Sequence, residues 1–170
     1  MKGFISDKVS AVIPVFNGEF HLQTILDSLL RQTYSSVEVI LVDDGSEDGT
    51  VQVAESYREK FALKGYDYCI VQAEHKNASA ALNHGLPYVT GEYLIWPDSD
   101  DRLEMESIAK RVKFLQSNPQ YQCVRTLAYY FAQQTDEMQI ADEKTGDISK
   151  ENLFWDILEQ KTYVCCGCYM

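Results

Sequence analysis

The strand, helix, strand unit that opens the chain is the feature that most constrains its fold. Residues 9–15 form a β-branched apolar run broken by Pro14, and residues 37–42 form a second in which Glu38 is the one charge. Between them Leu22, Ile25, Leu26, Leu29 and Leu30 recur at helical spacing. A helix in that position returns the chain to the edge where the first strand began. The two strands therefore run parallel and are buried on both faces.

The pattern then repeats. A turn at residues 45–49 leads to a polar helix carrying Val51, Ala54 and Phe61 and ending near Gly65, then to a strand around residues 68–71. A short helix over residues 78–86, stopped by Pro87, precedes a strand at residues 93–96. Met105, Ile108, Ala109, Val112 and Leu115 predict one amphipathic helix that closes at Asn118-Pro119. Alternating strands and helices make this an α/β chain, a doubly wound, Rossmann-like, mostly parallel sheet flanked by helices. It divides into a core at residues 1–120 and, at residues 121–170, the start of a further region of the same domain. In that region we expect a strand over residues 121–131, a polar loop or hairpin over 133–150, a short helix over 151–160 and a strand over 163–170. A domain rarely stops on an apolar strand, so the natural protein is expected to continue past Met170.

Composition excludes several classes of partner. With 26 acidic and 15 basic residues in 170, the net charge of -11 repels nucleic acid and anionic membrane surfaces. No apolar run is long enough to span a bilayer and no leader pattern is present, which predicts a cytoplasmic protein, or one at the inner face of the membrane in its full-length form. The five cysteines form no paired framework, as suits a reducing compartment. Cys165, Cys166 and Cys168 could make half a zinc site, but no histidine or second cysteine pair completes it.

In open parallel sheets, ligands bind beyond the carboxyl ends of the strands. Three such ends carry distinctive residues: Pro14-Val15-Phe16-Asn17, Asp43-Asp44-Gly45-Ser46 and Asp98-Ser99-Asp100-Asp101. The last is the most demanding electrostatically, because its clustered carboxylates repel one another. Asp98 and Asp100, two apart in an extended segment, can converge on one point suited to a hard divalent ion. Each feature also has a plain structural explanation: Phe16 as core, Asp43 and Asp44 as caps of the next helix, Asp100 or Asp101 as cap of a helix starting near Arg102. Their coincidence on one edge favours a site where an aromatic ring stacks a base, carboxylates accept its N–H or ribose hydroxyls, and a metal is held. Phosphate could approach only with that metal. One phosphate charge about 4 Å from one carboxylate is repelled by roughly 4 kcal/mol at an effective dielectric of about 20. Neither a phosphate loop with its lysine nor a Gly-x-Gly-x-x-Gly turn is present. Asp44, Ser46, Asp48, Gly49 and Glu55 also fall at EF-hand loop positions, but such a loop follows a helix, whereas residues 37–42 read as a strand.

Taken together, these stretches resemble the family 2 glycosyltransferases of the GT-A fold, inverting enzymes that move a sugar from a nucleotide-sugar to an acceptor. The likeness rests on residues 9–17, Gln32-Thr33-Tyr34, residues 38–50, residues 77–85 and residues 91–101, in the right order. It implies a base pocket lined by Pro14, Phe16 and Asn17, with Phe16 standing where the family usually has Tyr. It implies further that Asp44 accepts from the base, that Asp98 helps hold the ribose or metal, and that Asp100 coordinates Mn2+ or Mg2+ on the diphosphate. Ala78 and Leu82 stand where the family often has Gly and Arg, which turns attention to Lys76, Asn77 and Asn83 as nucleotide contacts. The implied donor is a nucleotide-diphosphate sugar, a UDP-sugar first; the acceptor, whether saccharide, lipid or protein, stays open.

The family's general base lies downstream of the strand that ends at residues 165–170, so the base is expected beyond Met170. Asp136, Glu137, Asp142 and Asp156 are further carboxylates, with nothing to tie them to the site. A chain without its base admits a second reading, a non-catalytic nucleotide-sugar or calcium-binding module. A nucleotidyltransferase is the third, and its Gly-rich, basic triphosphate loop is not visible.

Overall fold

The two apolar runs become the central strands of a four-stranded sheet. The computed structural model describes residues 3–124, 126, 129–131 and 138–140. In chain order the elements are β1 (Ile5–Val15), α1 (Leu22–Leu30), β2 (Val37–Asp43), α2 (Thr50–Glu55), α3 (Arg58–Lys64), β3 (Asp67–Gln72), α4 (Ala78–Gly85), β4 (Gly91–Ile95) and α5 (Ser107–Ser117). A separate antiparallel ladder joins β5 (Tyr129–Phe131) to β6 (Met138–Ile140). Strands β1 to β4 all pair in parallel, in the order β3-β2-β1-β4. The chain lays down β1, β2 and β3 in one direction and then crosses back to set β4 on the other side of β1. That reversal opens a crevice beyond the carboxyl ends of β1 and β4.

Alternation along β1 divides the core between the two faces of the sheet. Val9, Ala11, Ile13 and Val15 pack with Leu22, Ile25, Leu26 and Leu29 of α1, Phe61 of α3, and Ile108 and Val112 of α5. Val12 faces the other way with Ile40, Val42 and Ala81 of α4. Placing α4 on the opposite face from α1 follows from the handedness of crossovers, since the β3-to-β4 connection runs back across the sheet. Pro14 is tolerated within β1 because the ladder to β4 ends at Ala11 opposite Ile95, three residues earlier.

Glu38, the one charge within residues 37–42, is buried and satisfied. Its carboxylate accepts from Ser10 Oγ, from Thr90 N at 2.7 Å and from Thr90 Oγ1 at 2.7 Å, and Lys8 Nζ lies 2.9 Å away. Gly91 N donates to Ser10 Oγ at 2.9 Å and to Glu38 at 3.2 Å. Burial alone would push the Glu38 carboxyl up, but hydrogen bonds from Ser10, Lys8 and Thr90 outweigh it and hold the group at about 2, below its ordinary 4.5.

Two helical expectations need correction. The single polar helix ending near Gly65 is two helices, α2 and α3, broken at Ser56 and Tyr57. Ser56 Oγ takes the Val53 carbonyl at 2.6 Å, while Tyr57 is buried with its hydroxyl donating to Asp27 at 2.8 Å, which turns the chain. The helix expected from Met105 begins instead at Ser107, and Met105 stands outside it, 56% exposed. The strand expected over residues 121–131 is represented among the described residues by β5 alone, and β6 falls inside the expected hairpin at 133–150. The helix over 151–160, the strand over 163–170, Asp136, Glu137, Asp142, Asp156 and the Cys165, Cys166, Cys168 cluster lie outside the described residues.

Because the Glu38 carboxyl titrates lower when folded than when unfolded, its contribution is complete above about pH 4.5 and is lost as the pH falls towards about 2. Urea unfolding across that window should show this group withdrawing on the order of 2–3 kcal/mol, with Glu38→Gln flattening the slope. Gly91 is a point of close approach, where an added Cβ would lie 2.5 Å from the Lys8 carbonyl oxygen and 2.8 Å from Ser10 Oγ. Gly91→Ala should cost about 2 kcal/mol or more in the same measurement.

Candidate functional site

Parallel register brings the three singled-out strand ends to one edge of the sheet. Val15 pairs with Asp43, and Asp43 with Gln72, so the turns after β1, β2 and β3 lie at one level. Beyond β4, Asp98 follows Ile95 by three residues.

On the β1–β2 side, Asp44 is 3% exposed and heavily engaged. Its backbone N–H donates to the Val15 carbonyl at 2.8 Å, and its carboxylate accepts from Lys76 N at 3.1 and 3.3 Å. Its Oδ2 lies 3.0 Å from His75 Nδ1. The His75 ring stacks on Phe16 with centroids 3.9 Å apart and planes inclined by 22°. Phe16 is 43% exposed, so it is a surface ring and not core. Gly45 permits this packing: its φ of +76° is left-handed, and a Cβ there would come within 3.1 Å of His75 N.

The neighbouring polar residues mostly serve the loops. Asn17, at φ +51°, accepts from Glu47 N at 2.9 Å, and its own N–H donates to Ser46 Oγ at 2.9 Å. Asp43 accepts from Ser46 N at 3.2 Å, which closes the turn after β2; it does not cap α2, which starts at Thr50. Asp48, not Asp44, serves the start of α2: its Oδ1 accepts from Thr50 N at 3.0 Å and its Oδ2 from Glu19 N at 3.1 Å. The EF-hand string is thus entered from a strand, and Asp44 and Asp48, at its first and fifth positions, are spent on separate tasks, which removes the calcium-loop reading. Asn77 caps α4, its Oδ1 accepting from Ala80 N at 2.9 Å. Asn83 stands exposed on α4, and Pro14 is buried inside β1.

Across the crevice, Asp98 and Asp100 are exposed and Asp101 is half-buried. Asp101 does not cap a helix near Arg102. It closes a turn on Asp98, accepting from Asp98 N at 3.1 Å while its own N–H donates to the Asp98 carbonyl at 3.1 Å. Desolvation, reinforced by the charge of Asp100, pushes the Asp98 carboxyl up; desolvation does the same to Asp101. Among the described residues neither Asp98 nor Asp100 has an ion-pair partner, and no group of three acidic, histidine or cysteine side chains closes a metal site. Two exposed oxygen donors with uncompensated repulsion fit Mn2+ or Mg2+, whose other positions would be filled by oxygens from outside the chain.

Buried polar groups of α1 and the turn after it hold the exit of this acidic loop. Gln32 is 1% exposed; its Nε2 donates to the Glu104 carbonyl at 2.8 Å and its Oε1 accepts from Ile108 N at 3.1 Å. Ser28 Oγ accepts from Leu103 N at 3.1 Å, and His21 Nε2 lies 3.2 Å from Ser99 Oγ. Gln32 therefore supplies from a distance the cap that the sequence seemed to offer at Asp100 or Asp101, which is why α5 starts late. Of these supports only Gln32 carried a sequence signal, and that came through family likeness. His75 carried none.

Comparison with known proteins gives this edge a context. The family model for glycosyl transferase family 2 matches residues 10–170. Glycosyltransferase GlyA of Streptococcus pneumoniae serotype 4 is 36% identical over 106 residues, 61% of this chain and 14% of that protein. The structure of S. aureus TarS 1-349 in complex with UDP-GlcNAc matches with a TM-score of 0.60 and 29% identity, covering 66% of this chain and 32% of that one. The mannosyltransferase PcManGT from Pyrobaculum calidifontis, in complex with GDP-Man and Mn2+, matches with a TM-score of 0.64 and 27% identity, covering 69% and 34%. The chain thus spans 14% to 34% of the length of these proteins, and its sheet has the GT-A arrangement expected of it.

Asn77→Ala should lower stability by about 1 kcal/mol in urea unfolding, and Asn77→Asp, which also accepts at a helix start, should recover most of it. Nucleotide affinity falling while stability is intact would instead assign the side chain to a ligand.

Proposed function

Since the chain belongs to glycosyl transferase family 2, we propose that it forms the donor-binding part of an enzyme transferring sugar from a nucleotide-diphosphate sugar to an acceptor hydroxyl. Transfer proceeds with inversion and depends on a divalent metal. The observation that carries this reading is the meeting, on one edge of a parallel sheet, of an exposed aromatic ring, a buried hydrogen-bonding carboxylate and two carboxylates without cation partners among the described residues. The sugar nucleotides bound by TarS and PcManGT, and the Mn2+ in the latter, support it.

In this scheme Phe16 provides the stacking face and Asp44 the acceptor for a base N–H. Pro14 backs them from inside β1. Asp98 and Asp100 would hold Mn2+ or Mg2+, with Asp98 shared with the ribose. Such an ion would supply Lewis-acid chemistry to the leaving diphosphate. The chain's own work is to hold the two carboxylates in place. Asp98, with its carboxyl pushed up by desolvation and Asp100, gives up its proton more readily once a cation is close. Gln32, Ser28 and His21 fix the loop that carries the pair. Activation of the acceptor hydroxyl falls to a carboxylate outside the described residues. The chain's net charge of -11 makes an anionic nucleic acid a poor acceptor and leaves saccharide, lipid and protein open.

Calorimetry with UDP tests the donor half directly. Mn2+ should tighten UDP binding by at least about tenfold, and Asp100→Asn should abolish that gain while leaving uridine, which has no phosphate, bound as before. UDP binding indifferent to Mn2+, or a gain that survives in Asp100→Asn, would overturn the metal-bridged reading.

A further inference from the structure

We infer that His75 occupies the nucleobase position of the donor-free chain and must leave it when a donor binds, so that this one side chain sets donor affinity. The inference rests on the donor-site reading above. His75 offers the two features that a bound base would: a planar ring lying on Phe16, with centroids 3.9 Å apart and planes inclined by 22°, and a ring nitrogen 3.0 Å from Asp44 Oδ2. Lys76 N donates to both Asp44 carboxylate oxygens, at 3.1 Å to Oδ1 and 3.3 Å to Oδ2, while His75 Nδ1 bonds to the Asp44 backbone carbonyl at 3.1 Å and stands 3.0 Å from Oδ2. The His75 ring thus fills the space beside Oδ2 that a ring N–H would need. The ligand chemistry that competes for both contacts is a planar heterocycle carrying a ring N–H, joined to a diphosphate.

The surroundings permit the exchange. The His75 side chain is 53% exposed while the Asp44 side chain is 5% exposed, so the imidazole covers the carboxylate without belonging to the core. Its backbone is pinned on both sides, by Ala73 N donating to the Asp43 carbonyl at 2.9 Å and by Lys76 N on Asp44. Rotation of the side chain alone therefore uncovers Phe16 and Asp44 Oδ2 and leaves the loop in place. A site that is open only part of the time binds with an apparent affinity reduced by that fraction. Family likeness singles out Asn77, Asn83 and Lys76 on this stretch and passes over His75.

Titration of the full chain with UDP and with GDP, each with Mn2+, tests this beside His75→Ala. The variant should bind the preferred nucleotide about three- to tenfold more tightly, as expected when one stacked ring no longer has to be displaced. With three histidines in the chain, His75→Ala also assigns the His75 ring protons in the wild-type NMR spectrum. Those protons should be shifted upfield by Phe16 in the free protein and should move to ordinary positions on nucleotide binding. Equal or weaker binding by His75→Ala, or ring protons that stay upfield in the complex, overturns the inference and leaves the donor site standing. Failure of both nucleotides to bind wild type and variant alike overturns the donor site and the inference together.

Discussion

A carboxylate inside a parallel sheet is the constraint on which the rest of this chain depends. Glu38 faces strand neighbours on β1 and the start of β4, and an unpaired charge there would cost several kcal/mol. The donors that prevent this come from two other pieces of backbone, Lys8 and Ser10 from β1 and Thr90 and Gly91 from the start of β4. The network therefore sets where β4 can lie. Gly91 sits so close to the Lys8 carbonyl that no side chain fits, and β1 accommodates the fit by a register shift between Ile5 and Val9, with Asp7 at φ +59° donating its N–H to Glu92. From that anchored start β4 runs five residues and delivers Asp98 to the opposite edge. The height of the acidic pair at the crevice is thus decided at the far end of the sheet.

The same edge treats its carboxylates in two ways. Asp44 is buried among donors and is a fixed hydrogen-bond acceptor, a group whose surroundings already suit its charge. Asp98 and Asp100 are exposed, repel each other and have no ion-pair partner among the described residues. Charge left uncompensated by the protein is compensated from outside. That division corresponds to the two ends of a sugar nucleotide, a neutral base that needs an oriented acceptor and an anionic diphosphate that needs a cation.

How far this could be read from the residues follows from the range over which each feature is determined. β1, β2 and α1 are legible because apolar periodicity over a dozen residues is a local property with one good tertiary solution. The shared edge is legible because strand ends in a parallel sheet lie at one edge, so the residues that follow β1, β2 and β4 fall on it once the strands are recognised. What was missed depends on partners distant in sequence. The late start of α5 is decided by Gln32, 76 positions before Ile108. The break between α2 and α3 is decided by the burial of Tyr57 against Asp27, 30 positions away. His75 lies in an exposed loop that reads as unremarkable, and its stacking depends on a left-handed Gly45 that lets two turns touch.

The two sides of the crevice are braced differently. The β1–β2 side is cross-braced by Asn17 to Glu47, Ser46 to Asn17, Asp48 to Glu19 and Lys76 to Asp44, each a bond between separate turns. The β4 side hangs from the end of one strand, and among the described residues the quartet reaches the first side, beyond its own internal turn, through His21 to Ser99. A base would therefore meet a braced floor from which only the His75 ring has to turn aside, while the diphosphate end would meet a quartet held chiefly at its exit, by Ser28 and Gln32. Preorganisation lowers the cost of binding where recognition occurs, and latitude is useful where a charged group must enter, react and depart. A cation shared between Asp98, Asp100 and a diphosphate would supply the missing brace, coupling the loose side to the firm one only while the donor is present.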